Sequence, residues 1–342
     1  MPNIKRQKRV KAIITLITFV VLIVVVFVIR DQIAETVVRL RTANLWPIAL
    51  VIPLAFLNHV AIGKLYQYIF RILGERFRLK PMIRLSYEIN FVNNVFPSAG
   101  LSGFSYLGIR MKGEHVLAGK SAMVQVMRFA LVFASFQVLL GLGLLTLAIV
   151  GNANNFVVMV TASITTFLFI GTLLVLFVIS SKKRLNGFFT SSTRVLNRAI
   201  QILRPKHPET INIGRVERIF TDLHENYKHV RKNISELKKP FIAALASNFT
   251  EIVSIYVVFL GFGVVVNPGA IIIAYAVANF AGIISILPGG VGVYEGIMTA
   301  VLVATGVPVA VSIPVIVSYR ILSMASQIPV GYYFYQRNLQ SY

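Results

Sequence analysis

Pro288-Gly289-Gly290-Val291-Gly292-Val293-Tyr294-Glu295-Gly296 interrupts an apolar stretch that runs from 269 to 305. Proline stops the helix that enters it, and the glycines permit a tight reversal and close backbone approach. Upstream, Asn93-Asn94-Val95-Phe96-Pro97-Ser98-Ala99-Gly100-Leu101-Ser102-Gly103 breaks a second apolar stretch, 82–109, in the same way. Each break reads as a re-entrant hairpin or a pair of half-helices. Hydrocarbon tolerates the unpaired backbone of a reversal only where protein buries it or a wet cavity receives it. The half-helix that follows aims free N–H groups and a positive dipole end inward, where they favour an anion.

Composition places these breaks in a membrane. The 342 residues are 56% hydrophobic and 13% charged, with a mean hydropathy of +0.75. A soluble domain is about 45–50% apolar and about 25% charged. Apart from the two broken stretches, six apolar runs have the length of a spanning helix: 12–29, 46–69, 121–150, 156–180, 241–265 and 309–336. The first follows Lys5, Arg6, Lys8, Arg9 and Lys11 and lacks a small-residue cleavage site, so it reads as a retained helix.

The net charge of +22 lies in loops between apolar runs and carries no nucleic-acid motif, so nucleic acid is not an expected partner. With a cytoplasmic N-terminus, 28 Lys and Arg fall inside and three outside. That split sets both termini on the cytoplasmic side of a multi-pass cell-membrane protein. It also requires each broken stretch to return to the side it entered from. The segment 182–239 carries a charge of +9. Its apolar residues Val216, Ile219, Phe220, Leu223, Tyr227, Val230, Ile234 and Leu237 recur at spacings of three and four. They predict an amphipathic helix with a basic polar face, lying on anionic lipid or packed under the bundle, with binding of a partner as the alternative.

Four residue pairs recur at nearly one offset. Asn58 and Asn248, and Tyr66 and Tyr256, are 190 apart; Pro97 and Pro288 are 191 apart; Arg128 and Arg320 are 192 apart. The spacing predicts a duplicated unit, about 46–150 and 241–336. The expected topology runs the paired helices in opposite directions, so the units are inverted. Matched Gly/Pro-interrupted segments in two inverted units point to a transporter binding site.

Arg128 and Arg320 stand in otherwise uncharged helices, where a charge costs about 2.5–3.5 kcal/mol on insertion scales. Each either pairs with a carboxylate or holds an anion, and a guanidinium holds phosphate bidentately. Glu295 follows the glycine-rich turn and would pair with Arg320, carry a proton or meet a cationic headgroup. Glu251, three residues after Asn248, shares its helix face and joins the same polar cluster. Glu88, at or near membrane depth, either needs a partner or a wet cavity or is a residue of the cytoplasmic interface. His59 reads as a satisfied core histidine, and Asn90, Asn93 and Asn279 as makers of interhelical hydrogen bonds. The five histidines have no metal-ligand spacing, there is no cysteine, and no P-loop or nucleophile-elbow motif occurs. No cofactor, metal or catalytic residue is expected.

Leu287 to Gly296 is similar to the signature of the lysylphosphatidylglycerol synthase transmembrane-region family, also called flippase-like or UPF0104. Asn93 to Gly100 resembles that family's earlier asparagine–proline–glycine segment, without the paired glycines and glutamate that many members carry just after the proline. The resemblance covers about 10–336. It implies a lipid-related role: in aminoacyl-phosphatidylglycerol synthases such a region is thought to flip the lipid that a following transferase domain makes. The chain ends at Tyr342, six residues past the last run, so it is not expected to synthesise that lipid itself.

The expected fold is therefore an all-α polytopic membrane protein, with six spanning helices plus two broken re-entrant helical hairpins arranged as an inverted repeat in one transmembrane domain. The expected function is translocation of an anionic or modified phospholipid or lipid-linked headgroup. The expected site comprises Arg128, Arg320, Glu295, Glu251, Asn58, Asn248, Asn94, Pro97, Gly100, Pro288, Gly289, Gly290, Gly292 and Tyr294. Expected partners are that lipid, anionic lipid under the basic segment and, in a homodimer, a second copy of the chain. A carrier for a small soluble anion, or the membrane component of a lipid-linked transferase, shares the same arginines.

Overall fold

The computed structural model describes residues 43–96, 101–150, 154–185, 213–284 and 288–340, with isolated positions 27, 30, 31, 38, 40, 41 and 187. At 101, 213–220, 283, 284, 288 and 340 it describes the backbone only. The predicted 12–29 span therefore lies outside the described residues.

The described residues form helices and turns with no strand. In order they are α1 (Leu45–Ile72), α2 (Leu79–Val95), α3 (Leu101–Lys112), α4 (Ala118–Val150) and α5 (Asn155–Ile179). Then come α6 (Ile213–Lys232), α7 (Lys238–Gly261), α8 (Pro268–Ile284), α9 (Val293–Ala304) and α10 (Val309–Gln340). A short 3₁₀ turn leads into α7, and another, Pro288–Gly290, joins α8 to α9. Among the described residues, five helices are long and apolar enough to cross a membrane: α1, α4, α5, α7 with its leading turn, and α10. They coincide with five of the six predicted runs. This is a multi-pass membrane protein.

The two broken stretches are two helix pairs, α2/α3 and α8/α9. Their dimensions match. Helices α2 and α8 have 17 residues each, α3 and α9 have 12, and the long helices α4 and α10 have 33 and 32. The packing is reciprocal as well. Helices α1 and α7 lie against each other at the centre, α2 packs on α10, and α8 packs on α4. Glycine makes both cross-contacts close. A Cβ on Gly331 of α10 would sit 2.6 Å from the Tyr87 carbonyl oxygen of α2, and one on Gly143 of α4 would sit 3.0 Å from Ile272 of α8. Lipid tails are as apolar as a protein core, so close packing of this kind holds membrane helices together.

The apolar core has two main parts that meet at α4. One gathers Leu65, Tyr66 and Phe70 of α1, Met82 and Leu85 of α2, Leu107 of α3 and Met123 of α4. The other gathers Leu140 of α4, Ile255 and Phe259 of α7, Ile271 of α8, Met298 of α9 and Ile316 of α10. Burial falls outward. The most apolar 18-residue window is 50% buried in the central helix 234–261 but 11% buried in α5. Phe167, Phe169, Ile170, Leu173 and Leu174 of α5 are all about half exposed or more. An apolar face of that extent suits lipid, not water.

Helix α6 packs against α4 and α5, burying Leu223 and Val230 in the first core. The His224 ring nitrogen Nδ1 meets the Ile179 carbonyl at the end of α5, 2.8 Å away. Ile234 is 60% exposed and does not join that face, because the chain leaves the α-helix for the 3₁₀ turn there. Val216, Ile219 and Phe220 lie outside the described side chains.

Candidate functional site

Helix α1 meets α7 through a polar contact. Asn58 donates from Nδ2 to the Ser247 carbonyl (2.8 Å) and to Thr250 Oγ1 (3.2 Å). Asn248 donates to Ser135 Oγ of α4 at 2.6 Å and accepts from the Tyr275 hydroxyl of α8. The paired asparagines thus tie the two central helices to each other and to α4.

A cavity of 330 Å³ opens between them. Its wall includes Arg128, Arg320, Glu251, Asn58, Asn248 and Asn94, and also Gly289, Gly290 and Tyr294. Nine expected site residues therefore share one space, though 262 positions separate the first, Asn58, from the last, Arg320. A smaller cavity of 150 Å³ shares Asn94, Glu251, Tyr294 and Arg320 and extends along α10. Carboxamides dominate the polar lining, with Asn90, Asn93, Asn279 and Gln327 joining the three named above. Phe129, Val132 and Phe133 of α4 make an apolar side that is only half-buried.

The glycine-rich turn is built as its residue types require. Gly289, Gly290 and Gly292 have φ of 60°, 68° and 84°, in the left-handed region that favours glycine. Glu295 then closes the start of α9: its Oε2 accepts from the Gly292 N–H at 2.7 Å. Its Oε1 accepts from Arg320 Nε at 3.0 Å, and the same guanidinium donates from Nη2 to the Gly289 carbonyl. Arg320 also lies 4.6 Å from the centre of the Tyr294 ring. One arginine thereby holds turn and helix together, and Glu295 and Gly292 serve the turn without lining the cavity. Pro97 and Gly100 lie outside the described residues, as does the side chain of Pro288.

Arg128 is placed differently. It is the eleventh residue of α4, as Arg320 is the twelfth of α10. Its guanidinium lies 5.7 Å from the Tyr66 ring and 5.5 Å from the Phe129 ring. Its Nε is buried and has no hydrogen-bond partner. The position that corresponds to Glu295, by the two-residue offset into α3 and α9, is Gly103. There the turn is closed by Asn93, whose Oδ1 accepts from the Gly103 N–H at 2.9 Å.

Glu251 joins the cluster with Asn248 as its spacing predicts, and it accepts from the Tyr319 hydroxyl of α10. Both nitrogens of His59 are engaged, with Ser86 Oγ at 2.9 Å and Gln327 Oε1 at 3.0 Å, as expected of a core histidine. Glu88 is partnered within the protein, as a carboxylate near membrane depth requires. It is 3% exposed, accepts from the Tyr106 hydroxyl at 2.9 Å and lies 3.5 Å from Arg110 Nε. The return of α3 beside α2 covers it, which hydropathy along α2 alone does not reveal.

Tyr275, Tyr319 and Gln327 also line the cavities and were not singled out from sequence. A signal existed. Tyr319, Ser323 and Gln327 recur every fourth residue on α10, as do Ser86, Asn90 and Asn94 on α2 and Tyr275 and Asn279 on α8. Spacing by four keeps them on one helix face.

Comparison with known proteins identifies the family. The family model described as "Lysylphosphatidylglycerol synthase TM region" matches residues 13–331. A UPF0104 membrane protein of Methanothermobacter thermautotrophicus is 29% identical over 241 residues, which cover 69% of this chain and 67% of that protein.

Proposed function

The chain belongs to the lysylphosphatidylglycerol synthase TM region family, and on that premise we propose that it is a membrane lipid translocase. It moves an anionic or modified phospholipid, or a lipid-linked headgroup, across the bilayer and makes or breaks no covalent bond. The observation that carries the reading is the cavity between α1, α4, α7 and α10, which sets two arginines and a cluster of carboxamides beside the half-buried apolar side chains Phe129, Val132 and Phe133. A headgroup would enter the carboxamide-lined space while its acyl chains stay in hydrocarbon past that apolar side. Such a shield is what translocation requires, because desolvating an ion costs many kcal/mol.

We read α1–α4 and α7–α10 as two copies of one unit. The equal helix lengths and the reciprocal packing of α2 on α10 and α8 on α4 support this. If α2/α3 and α8/α9 are re-entrant, α1, α4 and α5 make three crossings before α7, and the second unit is inverted. Rocking one unit on the other would then expose the cavity to each leaflet in turn. In this reading the protein sits in the cell membrane with cytoplasmic termini, and α6 lies beneath the bundle near anionic lipid. The test is transbilayer movement of headgroup-labelled phospholipid in proteoliposomes against protein-free vesicles. A cavity that carried a soluble anion would instead take up labelled phosphate with no lipid movement.

A further inference from the structure

The two paired arginines are chemically unlike. Arg320 has its Nε on Glu295 and an Nη on the Gly289 carbonyl, so its charge is balanced within the fold. Arg128 faces the same cavity between two aromatic rings, and among the described residues no carboxylate lies within ion-pair distance of it. Its Nε–H is buried without an acceptor. A buried charged donor left unmatched is disfavoured unless a ligand completes it.

The difference lies in how each turn is closed. Position 103, which corresponds to Glu295, is a glycine, and a Cβ there would sit 2.5 Å from Asn93 Oδ1 and displace the amide that closes the start of α3. The first unit caps its turn with a neutral amide where the second uses a carboxylate, and the neutral cap leaves Arg128 unneutralised.

We propose that Arg128 alone forms the oxyanion subsite of the cavity, taking the phosphodiester of a lipid, and that Arg320 is a positioning residue that holds the glycine-rich turn. A phosphate oxygen pair matches the side-on fork of the guanidinium, supplying the acceptor that Nε lacks. The assignment rests on the translocase reading for the source of the phosphate, which a free anion could also supply.

Binding distinguishes the two. The purified full chain, in a phosphate-free maltoside detergent, is titrated calorimetrically with dihexanoyl-phosphatidylglycerol, with dihexanoylglycerol and with inorganic phosphate. Wild type binds the phosphodiester and not its phosphate-free analogue. Arg128→Gln weakens binding by about tenfold or more with the melting temperature held, and Arg128→Lys falls between. Arg320→Gln lowers the melting temperature instead. Inorganic phosphate bound as tightly as the lipid, and lost with Arg128→Gln, supports the subsite while counting against a lipid cargo. Wild-type affinity in Arg128→Gln overturns the assignment, as does equal binding of the phosphate-free analogue. So does a normally stable Arg320→Gln that loses binding as fully as Arg128→Gln.

Discussion

Arg320 and Glu295 meet at 3.0 Å across the junction of α9 and α10, with side chains 17% and 12% exposed. The pair joins a turn with three left-handed glycines to the long helix α10. Removing one partner strands the other at depth, which typically costs about 3–5 kcal/mol. Arg320→Gln and Glu295→Gln should each lower the thermal midpoint in detergent. The double variant should be less destabilised than the sum of the two, because neither charge is then left alone. Strict additivity would show that the contact carries no coupling.

Gly331 should be intolerant where Gly141 is not. A Cβ on Gly331 would meet the Tyr87 carbonyl and, at 2.7 Å, Phe91 Cβ, whereas one on Gly141 meets nothing within 4 Å. Gly331→Ala should cost about 1–3 kcal/mol by forcing α10 from α2, and Gly141→Ala should leave the unfolding temperature unchanged or slightly raised. Equal midpoints for the two variants would contradict the close approach.

The start of α3 rests on Asn93. Asn93→Ala removes the acceptor for the Gly103 N–H and should cost about 1 kcal/mol. Hydrogen exchange at the first turn of α3 should accelerate while exchange in α9, which Glu295 closes, stays as in wild type. Unchanged exchange in α3 would remove this cap from the account.

Tyr319 should matter through Glu251. The hydroxyl donates to the only carboxylate among the described cavity-lining residues. Tyr319→Phe keeps the ring's packing and deletes that bond. Lipid movement should slow by about tenfold, with Glu251→Gln slowed similarly and the double variant no slower than either. Additive losses would mean that the two residues act separately.

Much of this architecture was legible in the sequence because hydrocarbon imposes long uninterrupted apolar runs, and their breaks then stand out. The near-constant offset of Asn58/Asn248 and Arg128/Arg320 located residues that line one cavity. The fates of the two arginines were not legible. Pairing Arg320 with Glu295 was one open option, but the solitude of Arg128 depends on what faces α4 from α1 and α3. Tyr319 and Gln327 were overlooked because uncharged polar side chains hardly lower the hydropathy of an apolar helix. The partners of Glu88 were not legible because a helix that turns back, α3, supplies them from outside its own helix.

The central claim is that this cavity carries a lipid headgroup through the membrane. The direct measurement is a dithionite quench of headgroup-labelled phospholipid in proteoliposomes of the full chain, beside protein-free vesicles. The account predicts quenching beyond the outer-leaflet half in the protein-containing vesicles, and a return toward the protein-free trace with Arg128→Gln. Quenching that stops at the outer-leaflet half across anionic, zwitterionic and aminoacylated lipids, with a folded protein in the vesicles, would contradict it.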